Sequence, residues 1–231
     1  MSRAMNAVLR EHHLPAATPD ESCSGSRVLK IIPSIPELDG TEPDRGDVRY
    51  VGHLLGDIRA ESAGFSAEPG RRYVFCYVGT GSLSVDRLRR VLPKVFPVDG
   101  DLACLVGVQG ITWTERVGAV QFSSYVPAET VLPYCDWTIC HGGQNTIVQS
   151  LRRDVPLIVF PGPIFERRFN ARKVQDAGAG LMGESDQFTE EWLRSALARR
   201  AECAAGAANL GARIRSYGGA AAAVAAIEAW G

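Results

Sequence analysis

The sequence predicts an α/β fold in which a doubly wound, Rossmann-like parallel sheet has helices on both faces. Short β-rich apolar runs recur from Tyr73 onward, and segments with helical character separate them. The runs are continuously apolar rather than alternating, which is typical of strands that are buried on both faces. Strands that alternate with helices in this way usually form a parallel sheet.

The regular alternation begins near residue 72. The predicted strands cover 73–78, 102–108, 119–126, 137–140, 156–160 and 179–182. The predicted helices cover 83–95, 127–134, 145–153, 166–177, 189–200 and 202–217, and an alanine-rich segment at 219–230 follows them. Before residue 72 we predict a helix at 3–13 and extended pieces at 28–32 and 48–52, joined by proline-rich turns. Ligands of such sheets bind in the loops at the carboxyl ends of the strands.

Composition and charge exclude several classes of function. The 231 residues have a formal net charge of −1, so no overall positive field attracts nucleic acid or a lipid surface. No apolar run approaches the roughly 20 residues of a membrane helix, and the N-terminus lacks a signal-like apolar core. We therefore expect a cytoplasmic protein.

The six cysteines and the acidic residues do not suggest a metal site. No cysteine pair has C-x-x-C spacing, and no acidic cluster has ligand spacing, so we expect no bound metal. Cys140 is a candidate nucleophile because it precedes His141, but its apolar surroundings favour a small buried residue.

A histidine and two glycines lie between the strand 137–140 and the helix that follows. The stretch reads His141-Gly142-Gly143-Gln144-Asn145-Thr146. Glycines permit a sharp turn and close approach of a ligand, and the first N–H groups of a helix attract anions. The histidine imidazole and the threonine hydroxyl can add hydrogen-bond donors. Taken alone, the stretch is equally compatible with a simple glycine turn.

A second polar stretch follows the next predicted strand. It reads Pro161, then Glu166-Arg167-Arg168-Phe169-Asn170-Ala171 at the start of a helix. Because both stretches come directly after strands of a parallel sheet, we expect them to face the same crevice.

Together the two stretches resemble the donor domain of GT-B glycosyltransferases of family 1, a nucleotide-sugar-dependent group with antibiotic (macrolide-type), plant and glucuronosyl transferases. In that family a strand ends in H-G-G/C-G-x-x-T/S-x-x-E, and P…D/E-Q-x-x-N-A follows. Upstream, residues 124–136 look like its W-x-P-Q-x-x-x-L stretch, and Gly79–Ser82 looks like its first phosphate-side loop. The resemblance extends in order over about residues 1–231.

The resemblance implies roles for individual residues. The diphosphate-binding residues are His141, Gly142, Gly143, Gln144, Asn145, Thr146 and Ser82. Tyr125 is expected to stack on the base, and the backbone of Val126 to read the edge of the base. Gln149 stands at the position of the ribose-binding glutamate of the family, but it lacks the charge.

The sugar-binding pair departs from the family pattern. Glu166 stands where aspartate is commoner, and Arg167 replaces the adjacent glutamine. The arginine has no counterpart in the family motif, so the identity of the sugar stays open.

The resemblance also implies that catalysis needs both an acceptor domain and a donor domain, and that this chain supplies the donor domain. Residues 1–50 would be a poorly anchored remnant of an N-terminal acceptor domain and its linker, and residues 51–231 the C-terminal donor domain. The general base belongs to the acceptor domain in this family, so no catalytic residue is assigned here. We expect the chain to bind UDP or dTDP, with no cofactor beyond the sugar nucleotide, but not to catalyse transfer alone. It would associate with an acceptor domain or partner subunit, or with itself through the uncovered face.

Three alternatives remain. One is a noncatalytic nucleotide-binding or regulatory partner subunit of a split glycosyltransferase, and another is an epimerase on the same fold. The third is a nicotinamide- or flavin-dependent oxidoreductase, because Gly79-Thr80-Gly81 opens like a dinucleotide loop. However, Ser84 replaces the third glycine of that motif, and the second strand does not end in an acidic residue.

Overall fold

The computed structural model describes residues 2–13, 16, 28–40, 46–54, 65, 67–78 and 83–230. Two short strands within these ranges pair with each other, and seven strands form one sheet. The strands are β1 (Lys30–Ile32), β2 (Val48–Tyr50), β3 (Arg72–Tyr77), β4 (Leu102–Gly107), β5 (Glu115–Val117), β6 (Val120–Ser123), β7 (Cys135–Cys140), β8 (Leu157–Val159) and β9 (Gly180–Met182).

Helices alternate with these strands as the sequence predicts. They are α1 (Ser2–Glu11), α2 (Pro36–Asp39), α3 (Val85–Val95), α4 (Ala128–Val131), α5 (Gln144–Arg152), α6 (Phe165–Asp176), α7 (Glu190–Ala198), α8 (Arg200–Ser216) and α9 (Gly219–Trp230). Across the described residues, no helix is both long and apolar enough to cross a membrane.

The order of strands confirms the doubly wound α/β class. The order in the large sheet is β5-β6-β4-β3-β7-β8-β9, and every neighbouring pair except β5 and β6 is parallel. From β3 the chain moves outward through β4 to β6, then returns to the other side of β3 and continues from β7 to β9. The direction of winding therefore reverses between β3 and β7, which is where such folds open a crevice for ligands.

Apolar side chains cover both faces of the sheet. On one face, Leu88 and Leu92 of α3 join a core cluster that contains Leu193 of α7. On the other face, Ile147 of α5 and Leu210 of α8 belong to a second cluster. Because helices bury the strands from both sides, their sequences read as continuous apolar runs.

Two short elements differ from the predictions. The apolar run predicted as a strand at 119–126 forms only Val120–Ser123, and the preceding Glu115–Val117 pairs with it antiparallel. Gly118 makes this hairpin possible by its positive φ of 63°. The stretch predicted as turns also contains α2, which begins at Pro36 and is capped after Asp39 by Gly40 in the left-handed conformation.

Residues 30–40 pack against the helices of the large sheet, contrary to the expectation that residues 1–50 would be poorly anchored. Ile35 and Leu38 are buried in the same core cluster as Val148 of α5. Arg213 of α8 donates a 2.7 Å hydrogen bond to Glu37. Apolar burial, which the sequence of the segment alone does not reveal, holds the described residues 30–40 in place. The predicted domain boundary near residue 50 remains a prediction.

Candidate functional site

The crevice at the reversal point brings together the ends of the two central strands. β3 ends at Tyr77 and β7 ends at Cys140, and these two residues are register partners in the parallel pair. The loop that follows β7 contains His141, Gly142 and Gly143. Ser82 and the rest of the 79–82 loop lie outside the described residues, so its predicted contact with phosphate remains a prediction.

His141 lies buried at the bottom of this crevice. It is 9% exposed, and its Nδ1 atom lies 3.4 Å from the carbonyl oxygen of Tyr77. Because a carbonyl can only accept, this contact favours the tautomer with the hydrogen on Nδ1. Burial lowers the pKa of His141, the Tyr77 carbonyl opposes this, Arg167 adds to the lowering and Glu166 opposes it. The imidazole is therefore neutral at neutral pH.

The two glycines are required by the close packing of the loop. Gly142 has a φ of 90°, and a Cβ atom there would lie 2.8 Å from the carbonyl oxygen of Arg167. A Cβ atom on Gly143 would lie 2.8 Å from Nε2 of His141. Asn170 donates a 2.9 Å hydrogen bond from its side chain to the Gly142 carbonyl, which ties the loop to α6.

Helix α5 begins at this loop with its N-terminal amides open. Its N-cap is Gly143, which has extended backbone angles and no side chain to cap the helix. No acidic residue lies in the first turn of the helix. The N–H groups of Gln144, Asn145 and Thr146 and the positive end of the helix dipole therefore favour a bound anion.

Seven of the nine predicted diphosphate and sugar residues line one cavity of about 470 Å³. Its lining includes His141, Gly143, Gln144, Asn145, Thr146, Glu166 and Arg167. Gly142 is buried beside the cavity rather than in its lining. The expectation that the loops after β7 and β8 face the same crevice is thus correct for these residues.

The predicted base and ribose residues line a neighbouring cavity of about 450 Å³, which includes Tyr125, Val126 and Gln149. Tyr125 is 72% exposed, so one ring face can accept a stacked base. Asn145 and Thr146 line both cavities. The two cavities therefore form one continuous cleft along the start of α5, with an aromatic ring at one end and Glu166 at the other.

The part of the chain that contains Tyr125 and His141 matches a known domain family. Residues 89–221, more than half of the chain, match the domain family described as erythromycin biosynthesis protein CIII-like, C-terminal domain. The chain belongs to this family. The match confirms the predicted relationship to antibiotic-type GT-B glycosyltransferases.

Individual relatives of this EryCIII-like domain are glycosyltransferases. The chain is 31% identical over 233 residues to the NDP-glycosyltransferase YjiC of Bacillus subtilis, covering 97% of this chain and 58% of that protein. The glycotransferase of kitacinnamycin superposes with a TM-score of 0.81 at 22% identity, over 99% of this chain and 61% of that one. The glycosyltransferase VinC, solved in complex with dTDP, superposes with a TM-score of 0.65 at 18% identity, over 96% and 57%. The chain thus spans about three fifths of the length of these proteins.

Several residues of the cleft were not identified as site residues from the sequence, among them Tyr77, Gln109, Glu129 and Thr130. Tyr77 and Gln109 line both cavities of the EryCIII-like domain, and Glu129 and Thr130 line the cavity next to Tyr125. Tyr77 ends β3 and Gln109 closely follows β4, so the rule that ligands bind at carboxyl ends of strands would have selected both. Glu129 and Thr130 lie in α4 and had no comparable signal.

Cys140 is not a nucleophile in this domain. Its side chain is fully buried, and burial raises the pKa of its thiol to about 12. The thiol therefore stays protonated at neutral pH and serves as a small apolar residue at the end of β7.

Proposed function

We propose that this chain is the donor-binding half of an inverting, metal-independent glycosyltransferase that uses a UDP- or dTDP-sugar and a small-molecule, natural-product acceptor. One observation carries the proposal. His141, the open N-terminus of α5 and Glu166 converge on a single cavity, and that cavity continues to an exposed aromatic ring at Tyr125. The order matches the parts of a nucleotide sugar: base, ribose, diphosphate and sugar.

The diphosphate would lie against α5 and His141. In the transfer, the acceptor oxygen bonds to the anomeric carbon, and the bond from that carbon to the diphosphate oxygen breaks. The acceptor proton passes to a base outside the described donor site, which the family pattern assigns to the acceptor domain. The charge left on the diphosphate is stabilised by the amides of α5, which are already oriented before the reaction.

His141 contributes a donor once the diphosphate is present. Its Nδ1 hydrogen is directed to Tyr77, so Nε2 can donate to phosphate only in the imidazolium form. A nearby anion favours that form. Binding of the diphosphate is therefore expected to draw a proton onto His141.

The nucleoside would occupy the cavity beside Tyr125. The tyrosine ring stacks on the base, and the backbone of Val126 presents amide groups to the base edge. VinC binds dTDP on the same fold, which supports a pyrimidine donor here. At the other end of the cleft, Glu166 accepts hydrogen bonds from sugar hydroxyls. Arg167 would bind an anionic group more strongly than the neutral glutamine of the family motif would.

An apolar face on the last helix supports an incomplete assembly. Val224, Ile227 and Trp230 are spaced by three residues on α9, and all three are exposed large apolar side chains. We assign this face to contact with an acceptor domain or partner subunit, or with a second copy when neither is present. On this proposal the chain alone binds nucleotide without catalysing transfer.

The test is calorimetric titration of the chain with UDP, dTDP, GDP and NAD, repeated with His141→Ala. We expect saturable binding of UDP or dTDP. Loss of one charge-assisted hydrogen bond should weaken it by about 10- to 100-fold in the variant. Cys140→Ala serves as the matched control, because it alters the neighbouring buried residue without removing a donor.

Other outcomes separate the alternatives. Binding of NAD alone would contradict the glycosyltransferase proposal. Binding of UDP or dTDP without any transfer after an acceptor-domain partner is added would favour a regulatory subunit over a donor half. Equal binding by the wild type and His141→Ala would contradict the proposed contact of His141 with the diphosphate.

A further inference from the structure

The middle of the cleft contains a carboxylate that no motif identifies. The family motif provides a glutamate for the ribose, but this chain has the neutral Gln149 at that position. Glu129 lines the same cavity as Gln149, at a position where the family motif specifies no residue type. The cavity thus has a glutamate in its lining after all, supplied by α4 instead of α5.

Glu129 is buried, and only one of its two carboxylate oxygens accepts a hydrogen bond from a described residue. Its side chain is 3% exposed. Arg153 donates a 3.3 Å hydrogen bond to Oε2, and Arg152 lies 3.9 Å from the same oxygen. Oε1 accepts no hydrogen bond from any residue that the structure describes, and Nε2 of His53 lies 3.9 Å from it.

Such an oxygen calls for an explanation. A buried acceptor without a donor destabilises the folded state, and buried polar groups in folded proteins nearly always have a partner. The two arginines lie on the Oε2 side of the carboxylate and leave Oε1 without a donor among the described residues. A ligand that brings a donor would satisfy the remaining oxygen.

The position of Glu129 along the cleft indicates which part of a donor it meets. Glu129 follows Tyr125 and Val126 by a few residues, and its cavity extends to Asn145 and Thr146 at the start of α5. In a nucleoside diphosphate, the ribose connects the base to the phosphates. A ribose bound between Tyr125 and α5 therefore lies in the part of the cavity that Glu129 and Gln149 line.

We propose that Glu129 accepts a hydrogen bond from the 3′-hydroxyl of the donor nucleoside. It would thereby take the role of the family's ribose-binding glutamate, whose position is occupied here by Gln149. The 3′-hydroxyl is chosen because UDP and dTDP both have it. Oε1 is covered in the unliganded protein, and rotation about the soft terminal torsion of the side chain presents an oxygen to the cavity. This inference rests on the proposed nucleotide binding.

The experiment compares dTDP with 3′-deoxy-dTDP by calorimetry, with UDP and 3′-deoxy-UDP as a second pair. We expect the wild type to bind the hydroxylated nucleotide about 10-fold or more tightly than its deoxy form, as for a hydrogen bond to a charged group. Glu129→Gln should reduce this ratio to about threefold or less, because a neutral acceptor forms a weaker bond. Adding Gln149→Glu to that variant should restore the ratio, because it returns a carboxylate to the ribose.

The control is Glu184→Gln. Glu184 also pairs with an arginine, Arg168, but it lines neither cavity, so the ratio should stay at the wild-type value. If Glu129→Gln does not fold, Glu129→Asp replaces it, since it keeps the charge but withdraws the oxygen. A structural role alone would lower the affinity for both nucleotides and leave the ratio unchanged, which would overturn the inference. A wild type that binds neither nucleotide would overturn the proposed function as well.

Discussion

The two helices that begin at the cleft have similar starts but different charges. α5 follows Gly143 and α6 follows Ile164; both N-caps have extended backbone angles, and neither caps its helix with a side chain. The first turn of α5 contains no acidic residue, whereas that of α6 contains Glu166. Each helix thus presents open amides and a positive dipole end to the same cavity.

The difference determines what each helix start can bind. An N-terminus without a carboxylate attracts an external anion, as proposed for the diphosphate at α5. At α6 the carboxylate of Glu166 already lies at the positive end and would repel a second anion. The same carboxylate is a good acceptor for hydroxyl groups. Adding an acidic residue to the first turn of α5 should therefore make it less able to bind an anion. Removing the charge of Glu166 should make the start of α6 more able to do so.

The largest expected effect concerns the contact that holds the two helix starts together. Gly142→Ala should lower the free energy of unfolding by about 2–4 kcal/mol, because the residue has a positive φ and the new Cβ meets the Arg167 carbonyl of α6. Chemical denaturation measures this. Gly178→Ala is the control, since Gly178 has a φ of 63° with open space around it, and should cost only about 1 kcal/mol. Equal losses would mean that backbone strain alone matters.

A charge placed at the start of α5 should change stability and binding in opposite directions. Asn145→Asp gives α5 an acidic first turn like that of α6. We expect it to stabilise the unliganded chain by about 0.3–1 kcal/mol and to weaken dTDP binding by about tenfold. Thermal unfolding and calorimetry measure the two effects. Weaker binding together with lower stability would indicate damage to the fold rather than repulsion of the diphosphate.

Glu166→Gln is the converse change and the matched control for Asn145→Asp. Removing the acid from α6 should cost about 0.3–1 kcal/mol of stability. Affinity for dTDP should stay the same or rise, since a negative charge leaves the cavity. A large loss of dTDP affinity would show that the charge of Glu166 supports nucleotide binding instead of opposing it.

The smallest expected effect is a pH dependence due to His141. Burial lowers its pKa in the unliganded protein, and an anion at α5 raises it again. Binding therefore takes up a proton, and affinity for dTDP should rise roughly two- to threefold between pH 8 and pH 7. His141→Asn should abolish this rise. An identical pH profile in that variant would assign it to the ionisation of the nucleotide.

The same lowered pKa sets the sign of the effect on stability. The unfolded chain binds a proton on His141 more readily than the folded chain does, so the folded state is disfavoured as pH falls through about 6.5. Thermal melts of the unliganded wild type should decline below that pH by more than those of His141→Asn. Saturating dTDP should reduce the difference.

Much of the fold and of the cleft could be predicted from short stretches of sequence. Strands such as β7 and β8 are continuous apolar runs, and their period and length are local properties. The start of α5 could also be predicted, because glycines at a strand-to-helix junction and free amides at a helix start depend only on nearby residues. The resemblance in these stretches led to the family that the comparison confirms.

Other features depended on residues far apart in the chain. The hairpin of β5 and β6 was missed because Glu115–Val117 is short and only half-buried at the edge of the sheet. α2 was missed because a four-residue helix has too little periodic pattern, and it is held by packing against α5 and α6. The anchoring of residues 30–40 likewise depends on contacts with α8, as the pairing of Glu37 with Arg213 shows.

The alternation of strands and helices, the loop at His141–Thr146 and the polar start of α6 could all be predicted from local sequence. These follow from hydrophobic period, glycine conformation and helix polarity, which act over a few residues. The contact of Tyr77 with Nδ1 of His141, and the cavity that Glu129 and Gln149 share, arise from the tertiary fold. The partners lie 64 and 20 positions apart, and their meeting depends on strand order and on helix packing, which no local pattern encodes.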